Sequence, residues 1–252
     1  VKPPLIGSKD RLIPKADIVR LLAFLDKAAK SGQPRPGWAP EGAHGPWLHF
    51  WRQSRLAVRV LLQSGLRCAE IARLKVRDCD TDTAPHRILV RGGKKRRADE
   101  VDEVRIPAGL AAEIDAWAAA HKLGPDDPLL RGSRGQHFSE RWIYQLAKDP
   151  ILAVGLNPKF ATHHYRHRYA TNLFVRTGDL LAVQKQLRHR SLQPTSAYLH
   201  MAASEEMMDD AMDGISLDTE EPPPRPRAKK PASNAALAMQ LEQDRHGKSR
   251  RT

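Results

Sequence analysis

Residues 162–200 read THHYRHRYATNLFVRTGDLLAVQKQLRHRSLQPTSAYLH. The spacing predicts a helix over 163–177, stopped by Gly178, and a second over 179–189. A shorter helix is expected over 195–200, after the loop Ser191-Leu192-Gln193-Pro194. His163 and Arg166 are three residues apart, so on the first helix they share a face. An arginine so placed can hold a phosphate while the histidine beside it gives or takes a proton. Two plainer readings compete: a surface helix, or a zinc site begun by His163 and His167, which lacks the adjacent Glu of the usual hydrolase pattern. Leu187-Arg188-His189-Arg190-Ser191 sets a histidine between two arginines at a helix end. That reads equally as an anion contact and as a charged surface. The chain has four tyrosines. Tyr144, Tyr165 and Tyr169 sit within apolar helical patterns and read as packing residues. Tyr198 follows a loop, where a phenol reads either as packing or as a nucleophile.

Upstream, the same periodicity continues. Pro14-Lys15-Ala16 opens a helix whose Ile18, Leu21, Leu22 and Leu25 share a face. A loop rich in Pro and Gly spans 33–46, and a long, largely buried helix is expected over 47–64, closed by Gly65. In Ser64-Gly65-Leu66-Arg67-Cys68-Ala69-Glu70, Arg67 follows the helix-ending glycine and can project into a cleft. Glu70 can orient it or cap the next short helix, 68–74. The plain alternative is an exposed ion pair, stabilising by roughly 0–1 kcal/mol. R-I-L-V-R at 87–91 reads as a strand and 101–107 as its partner, joined by the basic tip Gly92-Gly93-Lys94-Lys95-Arg96-Arg97. Further helices are expected over 110–122, 139–154 and 204–212. No internal repeat is visible. The fold class is therefore mainly α with a small antiparallel sheet (α+β). One domain covers 1–217, and a basic, Pro-rich tail, read as flexible, covers 218–252.

Composition narrows the function. Of 252 residues, 40% are apolar, enough for a sizeable core. Mean hydropathy is -0.56, and no apolar run approaches the ~18 residues that span a bilayer, so no membrane partner is expected. Two cysteines, Cys68 and Cys79, fit a reducing cytoplasm better than a disulfide scaffold. The chain starts without Met and shows no secretory signal, which suggests a fragment or a processed chain. Lys plus Arg number 42 against 29 Asp plus Glu, for a net charge of +13. Such an excess points to a polyanionic partner.

The order of these boxes resembles the catalytic domain of the tyrosine recombinases, the lambda-integrase, Cre and Xer class. Ser64-Gly65-Leu66-Arg67-x-x-Glu70 resembles the family's box around its first arginine. Thr162-His163-His164-Tyr165-Arg166-His167 resembles T-H-D-L-R-H, Leu187-Arg188-His189 resembles L-G-H, and Ala197-Tyr198-Leu199-His200 its nucleophile segment. Intervals of 23 residues from Arg166 to His189 and nine from His189 to Tyr198 also fit. Val90-Arg91-Gly92-Gly93-Lys94 resembles the hairpin that carries its lysine. The resemblance covers 12–212. It departs at His164, where the family often has Asp, and at Arg188, where it usually has Gly. The family's N-terminal core-binding domain is expected to be absent from this chain.

The resemblance implies a site-specific recombinase or integrase that cuts and rejoins DNA through a 3′-phosphotyrosine, without metal, ATP or other cofactor. Its catalytic set would be Arg67, Lys94, His163, Arg166, His189 and the nucleophile Tyr198, with Glu70 in support. Lys95, Arg96, Arg97, Arg188 and Arg190 would contact DNA. The implied partners are double-stranded DNA at specific sites and, on that DNA, further copies of the chain as a dimer to tetramer. A type IB topoisomerase, a DNA-binding protein with a relict site and a plain basic scaffold are the alternatives.

Overall fold

The structure is a computed structural model that describes residues 12–34, 45–91 and 101–189. Seven helices and three strands run in the order α1 (Lys15–Ser31), α2 (Gly45–Ser64), α3 (Cys68–Arg73), β1 (Cys79–Asp80), β2 (Arg87–Arg91), β3 (Val101–Arg105), α4 (Ala108–Ala120), α5 (Glu140–Ala153), α6 (Thr162–Thr177) and α7 (Leu180–Leu187). Helix α2 is the hub. Trp51, Leu56, Ala57, Val58, Val60 and Leu61 are all buried, so apolar residues point to several of its sides. It packs against α1, α4, α5 and α6, while Arg52 stays exposed and Arg55 and Arg59 half-buried. The one polar atom of Trp51 is satisfied, because its Nε1 donates to the carbonyl of Gln33 at 2.6 Å.

The three strands form an antiparallel meander, β1-β2-β3. Ile88 and Val90 alternate with more exposed residues, and Ile88 pairs with the buried Val104. One face of the sheet thus joins the core while the other stays outside. Two helix starts follow their side chains. The Ser139 hydroxyl accepts from the Trp142 N–H at 3.2 Å, and Asp179 Oδ1 accepts from Leu181 and Ala182 at 2.8 and 3.0 Å.

The main expectations agree in type and differ at the ends. The second strand stops at Arg105 rather than 107, and the helix expected over 110–122 is α4, two residues earlier at both ends. Helix α7 ends at Leu187, two residues short of the expected 189, because Arg188 turns left-handed. Strand β1 and the 3-10 turn Val76–Asp78 have no periodic signal and were not expected from sequence. Residues 35–44 of the expected loop, the helices at 195–200 and 204–212 and the tail lie outside the described residues. Among the described residues no helix is long and apolar enough to cross a membrane.

Candidate active site

Gly65 ends α2 with φ of 64°, and a Cβ there would lie 2.5 Å from Cδ1 of Tyr169. Only glycine permits both the left-handed turn and the approach of α2 to α6. After buried Leu66, the chain delivers Arg67, exposed, to the start of α3. Glu70, one turn on, does both of the jobs open to it. Its Oε2 accepts from the Arg67 backbone N–H at 2.8 Å, and its Oε1 from Arg67 Nη1 at 3.0 Å.

Arg166 lies on α6, buried. Its Nη1 donates to the carbonyl of Gly65 and its Nη2 to that of Leu187 at 2.5 Å. One guanidinium therefore ties the end of α2 to the end of α7. His163 lies on the same helical face, exposed, and with Arg67, Arg166, Cys68, Tyr144 and Thr162 lines a cleft of about 590 Å³. Partial desolvation of the ring by the cleft wall, then the charge of Lys148, lowers the pKa of His163 although the residue as a whole stays exposed. Burial raises that of Cys68, which keeps it a thiol. The His164 ring takes the place of a capping carboxylate: its Nδ1 accepts from the Ala161 N–H at 2.9 Å, so the neutral imidazole caps α6.

His189 follows the end of α7. Its backbone N–H donates to the Gln184 carbonyl at 3.0 Å. Burial, then the charges of Arg166, Arg67 and Arg188, push its pKa down to about 4. Three arginines thus converge on one imidazole, which is neutral at pH 7 and able to donate one hydrogen bond to an anion. The same convergence makes stability depend on pH. From the ordinary imidazole value near 6.5 down to about 4, the unfolded chain binds a proton that folded His189 refuses. Stability should therefore rise with pH across that window and level off above it. Urea midpoints measured from pH 4 to 8 should show this slope, and His189→Gln should flatten it; an unchanged slope would remove His189 as its source.

The phage integrase family model matches residues 51–205, more than half of the chain and the whole of this cleft. The chain belongs to the phage integrase family. The tyrosine recombinase XerC of Nitrobacter winogradskyi is 32% identical over 175 residues, covering 69% of this chain and 50% of that one. The XerC of Methylobacterium nodulans is 31% identical over 195 residues, 75% of this chain and 55% of its own. The chain thus spans about half the length of the curated relatives it matches. Among solved structures, XerA recombinase superposes with a TM-score of 0.62 at 20% identity, over 85% of this chain and 67% of that one. The fold is that of the tyrosine recombinase catalytic domain, mainly helical with a small antiparallel sheet.

The integrase-family residues fall into three groups. Arg67, Glu70, Arg166, His163 and His189 belong to one electrostatic cluster around the cleft. Lys94, Lys95, Arg96, Arg97, Arg190 and Tyr198 lie outside the described residues. Arg188 requires a correction. Expected on the DNA face, it is buried, with only 3% of its side chain exposed. It adopts φ of 57° and ψ of 41°, the left-handed conformation in which a non-glycine costs about 1–2 kcal/mol. That geometry explains why glycine suits the position. Its side chain turns inward onto the half-buried Glu70 carboxylate, which accepts from its Nη2 at 2.5 Å. Sequence reasoning missed Lys148, whose Nζ donates to the carbonyls of Pro158 and Phe160 beneath the His163 end of α6. No motif marks it; it is one polar residue on an amphipathic helix. Among the described residues, no group of three or more His, Cys, Asp or Glu is placed to hold a metal ion.

Proposed function

We propose that this chain is the catalytic part of a site-specific DNA recombinase that cuts and rejoins strands through Tyr198. The observation that carries the reading is the convergence of Arg67 and Arg166 on the cleft beside His189 and His163. A DNA phosphodiester is anionic and resists attack, so cleavage needs fixed positive groups at its non-bridging oxygens. Arg67 and Arg166 supply them. His189, neutral, donates a hydrogen bond to a phosphate oxygen. The Tyr198 oxygen attacks phosphorus in line, the bond from phosphorus to the 5′ oxygen breaks, and a 3′-phosphotyrosine forms. His163 takes the phenol proton and Lys94 gives one to the leaving 5′ oxygen. A 5′ hydroxyl from another strand then reverses the step, and the phosphodiester energy is kept.

Three observations support this assignment. Tyr165 is fully buried with its hydroxyl donating to Ala147, and Tyr169 packs against Gly65, its pKa pushed up to about 12 by burial. Tyr144 is half-buried against the core. Those three of the chain's four tyrosines have packing to do. The XerC relatives are tyrosine recombinases, and the solved XerH, superposing at a TM-score of 0.60 and 21% identity over 84% of this chain and 54% of that one, is a recombinase bound to its palindromic difH substrate. Strand exchange needs two cut duplexes at once, so a dimer to tetramer of this chain on double-stranded DNA is part of the proposal.

The test is incubation with a nicked suicide duplex carrying candidate sites from the native locus. A denaturing gel should show a covalent protein–DNA band, unchanged by EDTA because the arginines provide the positive charge. Activity lost to EDTA and restored by Mg²⁺ would argue for metal instead, and relaxation of supercoils without strand exchange would argue for a topoisomerase.

Lys94 has its own expected outcome. Lys94→Ala should slow cleavage of normal DNA by roughly 10²-fold or more, the cost of losing a general acid. A 5′ bridging sulfur leaves without a proton, so that substrate should restore the variant. Rescue of Lys95→Ala instead would move the acid by one residue.

A further inference from the structure

We infer that Arg188 is a positioning residue for strand cleavage, holding Arg67 and the β2–β3 hairpin in one electrostatic unit through Glu70 and Asp102. The inference rests on the reading of this chain as a DNA-cleaving recombinase. Arg188 Nη2 donates to Glu70 Oε2 at 2.5 Å, and its Nε lies 3.8 Å from Asp102 Oδ2. Glu70 Oε2 also accepts from the Arg67 backbone, and Glu70 Oε1 from the Arg67 guanidinium. One carboxylate is thus shared by two arginines, one exposed in the cleft and one buried. Asp102 lies on β3 opposite Val90, one pair from Arg91 and Val101, where the described part of the hairpin ends. The segment between those strands carries Lys94.

The third strand is fastened again two residues earlier, from the last turn of α7. Gln186 Nε2 donates to the Arg105 carbonyl at 2.6 Å. Arg188 Nη1 donates to the Gln186 carbonyl at 3.1 Å, which closes the link. Glycine at 188 would allow the same left-handed turn but would bridge nothing. Arg188 is buried and reaches no solvent-facing phosphate, so it acts through Arg67 and the hairpin.

Arg188→Gly keeps the turn and removes the bridge. Single-turnover cleavage of the nicked suicide duplex, at saturating protein, should fall by roughly 10- to 10²-fold, the size of a misplaced catalytic group. DNA affinity should change little. A 5′ bridging sulfur should recover part of the loss, the part that comes from the hairpin. Arg188→Lys, which can hold one carboxylate but not span two, should recover part of the rate on normal DNA. Asp102→Asn leaves the turn untouched and should lower the rate in the same direction, by less, which guards against an Arg188→Gly protein that fails to fold. Parental cleavage by both Arg188→Gly and Asp102→Asn overturns the inference. So does a loss that appears wholly as weaker DNA binding, because that marks a direct phosphate contact. A parent protein that binds the duplex but forms no adduct overturns the strand-cutting reading itself, and the inference with it.

Discussion

Arg166→Ala is expected to lose both catalysis and part of the fold around the cleft. In the wild-type chain the two ends of its guanidinium hold the carbonyls of Gly65 and Leu187. Removing it leaves two inward-facing acceptors without their donor, at about 1–3 kcal/mol for each buried group left unsatisfied. On the proposed function it also removes one of the two guanidiniums that stabilise the phosphate, a loss of about 10²–10³-fold in the chemical step. The two effects separate experimentally. Arg166→Lys keeps a charge but lacks the planar fork, so it cannot span both carbonyls and one phosphate. It should recover stability in part while cleavage stays low. Thermal melting and single-turnover adduct formation, measured on both variants, check this. An Arg166→Ala protein with parental adduct yield would remove Arg166 from the phosphate site.

Tyr198→Phe should abolish the covalent adduct altogether and leave DNA binding intact. The change removes one oxygen, and with it the only atom that could bond to phosphorus at that position. The positive groups of the cleft, Arg67 and Arg166, are untouched, so the affinity for DNA and its salt dependence should remain those of the parent. A denaturing gel for the adduct and a binding titration at two salt concentrations make the comparison. An undiminished adduct in Tyr198→Phe would transfer the nucleophile to another residue.

Much of the fold was legible because local pattern decides it. The stripe in α1, the glycine closing α2 and the alternation in Arg87–Arg91 each follow from backbone geometry within one element. The cluster around the cleft was legible for a different reason. Arg67, Glu70, His163, Arg166 and His189 recur at spacings that resemble a family, and the family model matches across them. Pattern failed at helix ends and short pieces. The two-residue β1 offers no period to read, and the left-handed turn at Arg188 contradicts the ordinary preference of its residue type.

By itself, the sequence determined the helical class, the order of the boxes and the basic character of the chain, since periodicity, spacing and charge are properties of the chain. Tertiary structure alone decided which way the charges point. Arg188 reads as an anion contact or a charged surface residue beside His189, yet it turns inward to a carboxylate 118 positions away. His164 reads as a departure from a carboxylate, yet its ring nitrogen supplies the same acceptor to the start of α6. A guanidinium or imidazole has the same composition whether it faces water or a buried partner. What chooses is the free energy of burial against a specific acceptor, and that acceptor is placed by packing between elements far apart in the chain.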